Sequence, residues 1–304
     1  MDTGSARLFP VLGLVTVGAV WGTTMPLTKI AVSAGHAPLG LIFWQFVIGA
    51  IVLSIVTYLR GRPLSRKPVH LGLYAMIALL GTILPNTASY TAAEHLPAGI
   101  MSVVVALVPI LAFPVAIMLG NDRFSGLRFL GLLMGFGAIF LIALPETSLP
   151  DRAMVAWLPL ALVAPFFYAI EGNVVAKFGT FGLDPVQVLA GASILGAVVV
   201  FPLTLGTGSF VDPRPSWTIA EWAILGIGVA HAVAYSGYVW LVGRAGAVFA
   251  AQVSYLVTAF GIFWSWLILA EIQSPWVWAA VCVMFVGLTL VQPRHPRPMT
   301  EAAG

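Results

Sequence analysis

The second half of this chain repeats the first at an offset near 148 residues, and each half carries five apolar segments, an odd number. An odd set of crossings delivers the chain to the far side of a membrane, so the second set must enter inverted, the architecture of many secondary transporters. Pro38, Gly49 and Ala50 recur with the spacing of Pro185, Gly196 and Ala197, an offset of 147. Farther on, Tyr90 answers Tyr238 at 148, Leu107 answers Leu256 at 149, and Gly137 answers Gly287 at 150. Single residues gained in successive loops leave such an ordered drift. The expected units are 1–150, with helices 1 to 5, and 151–304, with helices 6 to 10 and a short tail.

Composition fixes the solvent. Sixty per cent of residues are hydrophobic and 8% charged, where soluble chains carry about 25% charged residues. A spanning helix needs ~20 mostly apolar residues. Ten such stretches run near 8–32, 38–59, 69–91, 97–119, 126–144, 156–177, 184–206, 221–243, 246–270 and 275–292. The predicted fold is an all-α integral membrane protein of ten transmembrane helices as two inverted five-helix repeats around a central cavity. The longest connections, near 60–68, 145–155 and 207–220, are too short for an extramembrane domain. Function therefore falls to the helices.

The net charge of +3 carries more meaning by side than by total, because Lys and Arg concentrate on the cytoplasmic face. With the N-terminus inside, Arg7, Arg60, Arg62, Arg66, Lys67, Arg123, Arg128, Lys177, Arg244, Arg294 and Arg297 lie inside, and Lys29, Arg152 and Arg214 outside. Eleven against three places both termini in the cytoplasm. A nucleic-acid surface fits this distribution less well than a lipid bilayer. The single cysteine, Cys282, cannot form an intramolecular disulfide and is read as a packing residue. The first apolar segment has features of a signal peptide, but its repeat partner is internal, so it is expected to stay.

Proline frees a helical carbonyl, tolerated in lipid only where another group or a watery cavity satisfies it. Mid-span prolines occur at Pro26 (helix 1), Pro85 (helix 3), Pro109 and Pro114 (helix 4), and Pro159 and Pro165 (helix 6). Because helices 1, 3 and 4 correspond to 6, 8 and 9, symmetry nominates these six as the cavity lining and leaves 2, 5, 7 and 10 as outer staves. Gly131 and Gly135 give helix 5 a GxxxG, read as packing.

Polar residues inside spans are costly and tend to face a cavity or partner. On helix 8, His231, Tyr235 and Tyr238 share a face; on helix 3, Thr82, Asn86 and Tyr90 do. Helix 1 offers Trp21, Thr24 and Thr28, helix 6 Tyr168 and Glu171, and helix 9 Gln252 and Tyr255 beside Ser254 and Thr258. Trp21 and Tyr168 are repeat counterparts. Aromatic faces with neutral hydrogen-bonding groups suit a small amphipathic or zwitterionic solute, the rings taking apolar parts or an ammonium. Glu171 and Lys29 are expected to snorkel to the interfaces. Trp157, Trp217, Trp222, Trp264, Trp266, Trp276 and Trp278 are expected to be interfacial anchors.

Sequence patterns for intramembrane metalloprotease or aspartyl hydrolysis, and for a Walker A nucleotide site, do not occur. No enzyme activity, metal or cofactor is expected. Nor is there a repeated selectivity filter of the channel kind. A structural subunit would leave the aligned polar faces unexplained.

Ten helices as five plus five, Trp21-Gly22 early in helix 1, Pro109 in helix 4, and acidic residues after helices 4 and 9 (Asp122, Glu271) together resemble the drug/metabolite transporter superfamily. The chain is most similar to its EamA-type members and to the YddG group of amino acid exporters. The resemblance implies inner-membrane export of aromatic and other neutral amino acids through a basket-like central cavity by alternating access. Small multidrug members carry a helix 1 carboxylate that this chain lacks, which favours facilitated, potential-sensitive movement over proton antiport. A proton-coupled organic-cation exporter is the alternative, with a non-transport structural subunit after it. A monomer is the expected state.

Overall fold

The computed structural model describes residues 3–214, 216–245, 250 and 252–291. The described residues form ten helical segments. Helix 1 is broken into Thr3–Gly22 and Thr24–Ser33, helix 2 is Pro38–Leu59, and helix 3 runs through Pro68–Ala78, a π-turn Leu79–Ile83 and Leu84–His95. Helix 4 is Ala98–Val105 and Val108–Met118, helix 5 Gly126–Ala143, and helix 6 Leu158–Ala161 and Val163–Phe178 after a 3₁₀ turn at Arg152–Trp157. Helices 7, 8, 9 and 10 are Pro185–Gly206, Ile219–Ala245, Val253–Leu269 and Pro275–Val291. Eight segments are long and apolar enough to cross a membrane, and Val253–Leu269 and Pro275–Val291 are shorter apolar helices. The expected start of helix 9, at 246–249 and 251, lies outside the described residues, as do Arg294 and Arg297.

The packing obeys the inverted repeat. Helix 1 packs on helices 8 and 9, and helix 6 on helices 3 and 4; helix 2 lies against 7, and 5 against 10. Adding five to each number maps these pairs onto one another. At the helix 5–helix 10 crossing the backbones nearly touch, since a Cβ on Gly131 would lie 2.7 Å from the Gly287 carbonyl. Large apolar side chains on the perimeter, such as Phe140 and Val198, are exposed as a lipid-facing surface requires.

Prolines break helices unequally. In helices 1 and 6 the break falls three residues before Pro26 and Pro165, and in helix 4 just before Pro109. Pro85 follows the π-turn of helix 3. Pro114 makes no break, because the helix runs on through it. Helix 8, nominated by symmetry, contains no proline and is continuous.

Ten crossings return the chain to the face where it began, here called the terminal face. The opposite, distal face is closely tied. Lys29 Nζ donates to the carbonyls of Ala93 (2.8 Å) and Glu94 (3.0 Å). The Glu271 carboxylate accepts from the Ala98 and Gly99 amides at 2.8 and 3.0 Å, capping helix 4 from the end of helix 9. Trp44 Nε1 donates to the Val211 carbonyl (2.9 Å), and His36 meets Glu221 at 2.9 Å.

Candidate functional site

A cavity of about 420 Å³ occupies the centre, within the ~300–1,000 Å³ range of small-molecule sites. Of the residues nominated from sequence, Trp21, Thr24, Thr82, Asn86, Tyr90, Tyr168, Glu171, His231, Tyr235, Tyr238 and Thr258 line it, as does Pro109. Two do not. Gln252 is exposed at the N-cap of helix 9, and Tyr255 turns to helix 10, its ring 5.4 Å from that of Phe285. Residues 253, 254, 257 and 258 form the lining face of helix 9; 252 and 255 are rotated onto the neighbouring one. Pro26, Pro85, Pro114 and Pro165 lie outside the lining.

Two staves were misassigned. Helix 2 contributes Gln45, Phe46, Gly49 and Leu53 to the wall, and helix 7 contributes Leu189 and Ser193. Gln45 is the main omission. Its Oε1 accepts from the Tyr90 hydroxyl (2.6 Å) and from Asn86 Nδ2 (3.0 Å), while Asn86 Oδ1 accepts from the Tyr168 hydroxyl (2.6 Å). A neutral hydrogen-bond chain thus joins helices 2, 3 and 6 along one side. The signal was the cost of any amide in a span; standing alone on helix 2, Gln45 had no companion at helical spacing.

The other side is aromatic. The Trp21 ring meets His231 and Tyr238 edge-on, each at 6.4 Å, and Tyr235 lies 6.4 Å from Tyr238. Such edge-to-face groups leave negative ring faces for an ammonium or an apolar body.

Glu171 does not snorkel. Its carboxylate faces the cavity against Gly81 of the π-turn, and no hydrogen bond or ion pair engages it among the described residues. Its repeat counterpart, at the Trp21–Tyr168 offset, is Thr24. Lys29 reaches towards the distal face, where the carbonyls at the end of helix 3 hold it. Trp264 is no interfacial anchor: its Nε1 donates to the Ala19 carbonyl (3.0 Å), just before the helix 1 break. Trp157 stacks on His95 at 3.6 Å. No Lys or Arg of the described residues lines the cavity.

Of the polar lining, Thr24, Asn86, Tyr90 and Thr258 are buried, and Glu171, Tyr235, Tyr238 and Ser254 are half-buried.

Known proteins resemble this chain over most of its length. The chain is 25% identical over 268 residues to the uncharacterized transporter YoaV of Bacillus subtilis (strain 168), covering 86% of this chain and 89% of that one. It is 24% identical to the uncharacterized transporter sll0355 of Synechocystis sp. (strain ATCC 27184 / PCC 6803 / Kazusa), over 93% and 90% of the two chains. The uncharacterized inner membrane transporter YedA of Escherichia coli (strain K12) is 23% identical over 94% and 91%. A crystal structure with 18% identity shares the fold at a TM-score of 0.63, covering 93% of this chain and 96% of that one. The EamA-like transporter family model matches twice, over residues 8–144 and 155–292, and the chain belongs to that family.

Proposed function

We propose that this membrane transporter exports amino acids, aromatic and other neutral ones, by alternating access, in facilitated or potential-sensitive fashion. The supporting observation is the wall itself: an aromatic side, a neutral hydrogen-bond chain, and a single carboxylate with no Lys or Arg in the lining. An amino acid brings an ammonium for Glu171, a side chain for the ring cluster of Trp21, His231, Tyr235 and Tyr238, and a carboxylate. The last falls to amide and hydroxyl donors and to the half-helix N-terminus at Thr24, whose dipole favours an anion. The distribution of Lys and Arg supports a cytoplasmic terminal face in the inner membrane, and the ties made by Lys29 and Glu271 across the distal face support loading from the cytoplasm. Enclosure of the cavity by one chain supports a monomer.

One observation favours a second reading. Glu171 faces the cavity, which is the arrangement an organic-cation exporter requires. Uptake of labelled phenylalanine and phenethylamine into proteoliposomes, with and without an imposed pH gradient, separates the two. Saturable phenylalanine uptake that needs no pH gradient supports the amino acid exporter. Flux of phenethylamine alone, dependent on the gradient, gives the organic-cation reading, and no saturable flux of either sinks both.

A further inference from the structure

The π-turn of helix 3 lies where Glu171 meets the cavity wall, and its chemistry is that of an incomplete helix. Leu84 N–H bonds back to Leu79 rather than Leu80, and Pro85 has no N–H to give Gly81 four residues earlier. The Leu80 and Gly81 carbonyls therefore lose their α-helical donors beside a carboxylate. At the same point the chain carries glycine. A Cβ on Gly81 would fall 2.7 Å from Cδ and from both carboxylate oxygens of Glu171. That is too close for coexistence, and the group that would yield is the end of a flexible side chain, not backbone.

We infer that Gly81 is a positioning residue for an ammonium subsite, the missing side chain letting the Glu171 carboxylate lie against the donor-starved turn so that both offer oxygens to one –NH₃⁺. A primary ammonium has three donors and no acceptor, and a cluster of carboxylate and carbonyl oxygens matches it better than it matches a neutral solute. The subsite rests on the reading that Glu171 receives the solute's amine, and it adds what fixes that carboxylate in place. Selectivity for amine-bearing solutes then depends on a residue with no side chain of its own.

The test uses the full chain in proteoliposomes with phenylalanine and phenethylamine. Gly81→Ala is expected to raise KM for both about tenfold, the loss of one charge-assisted hydrogen bond, with Vmax little changed. Glu171→Asp withdraws the carboxylate by one methylene, about 1.5 Å, making room for the new methyl. The double variant Gly81→Ala/Glu171→Asp is therefore expected to have a lower KM than Gly81→Ala alone, a rescue that a merely structural glycine would not give. A parental KM in Gly81→Ala, or a double variant no better than the single, overturns the inference. If Gly81→Ala alone fails to fold, a folded and active double variant supports the inference and an unfolded one overturns it. Glu171→Gln tells the two failures apart. Where it abolishes flux of both solutes, the amine site stands and only the role of Gly81 falls; where it changes nothing, the amine site falls too.

Discussion

Asn86 is the residue on which the neutral side of the cavity depends. It is buried, it donates to Gln45 and Tyr90, and it accepts from Tyr168. Asn86→Leu leaves those partners facing an apolar group, each unsatisfied group costing ~1–3 kcal/mol. A lower melting temperature in detergent together with lost uptake is expected, and a variant that melts and transports like the parent would deny the chain its importance. The exposed distal loop behaves differently. Hydrogen bonds from Arg214 hold the Asp212 carboxyl down at about 2, so its contribution is present above the ordinary carboxylate range and lost only as pH falls through 2. Arg214→Ala should leave the pH profile of transport between 5 and 8 unchanged, measured as initial uptake rates. At this scale the sequence was legible where polar residues recur at helical spacing, as on helices 3 and 8. It was illegible for Gln45, a lone amide, and for Gln252 and Tyr255, whose helix is polar on two neighbouring faces of which one meets the cavity.

Helix breaks were readable from proline, but only in part. The missing N–H is a local fact, visible in sequence, while the break it causes depends on what surrounds it. Pro26, Pro109 and Pro165 each follow an interruption, and Pro85 follows the π-turn. Pro114 sits in a turn that stays closed, and helix 8 reaches the cavity with no proline at all. The staves failed as a category for the same reason: helices 2 and 7 pack on each other yet turn one edge inward, which periodicity in an all-apolar span cannot reveal, since lipid-facing and protein-facing sides are equally greasy. Pro85→Ala restores an N–H for the Gly81 carbonyl. It is expected to straighten helix 3, to hold or raise thermal stability because a proline costs ~3 kcal/mol in a helix interior, and to lower Vmax. Paired melting and uptake curves check this, and a loss of stability with unchanged transport would contradict it.

The whole molecule is a pair of interlocked repeats, with helix 1 lodged against helices 8 and 9, and helix 6 against 3 and 4. The inversion follows from an odd repeat in a bilayer. Which face would be shut does not, because it depends on single contacts between loop ends, and here Lys29 and Glu271 tie the distal face. Lys29→Met removes the bond from helix 1 to helix 3. It should increase labelling of a Thr28→Cys reporter, in a Cys282→Ser background, by a membrane-impermeant thiol reagent applied from the distal side. Labelling no faster than in the Lys29 parent would show that the tie does not hold the distal face.

The architecture is twofold, but Glu171 answers Thr24, so the charge in the cavity belongs to one repeat alone. A carrier with a symmetric lumen would greet its solute alike from both membrane faces. This one presents its carboxylate from helix 6 in whichever direction it opens, at a different depth each time, so half-saturation measured from the two faces should differ. Detailed balance still binds an uncoupled carrier: the quotient of maximal rate and half-saturation must be equal in the two directions, and the face with the tighter grip must also be the slower.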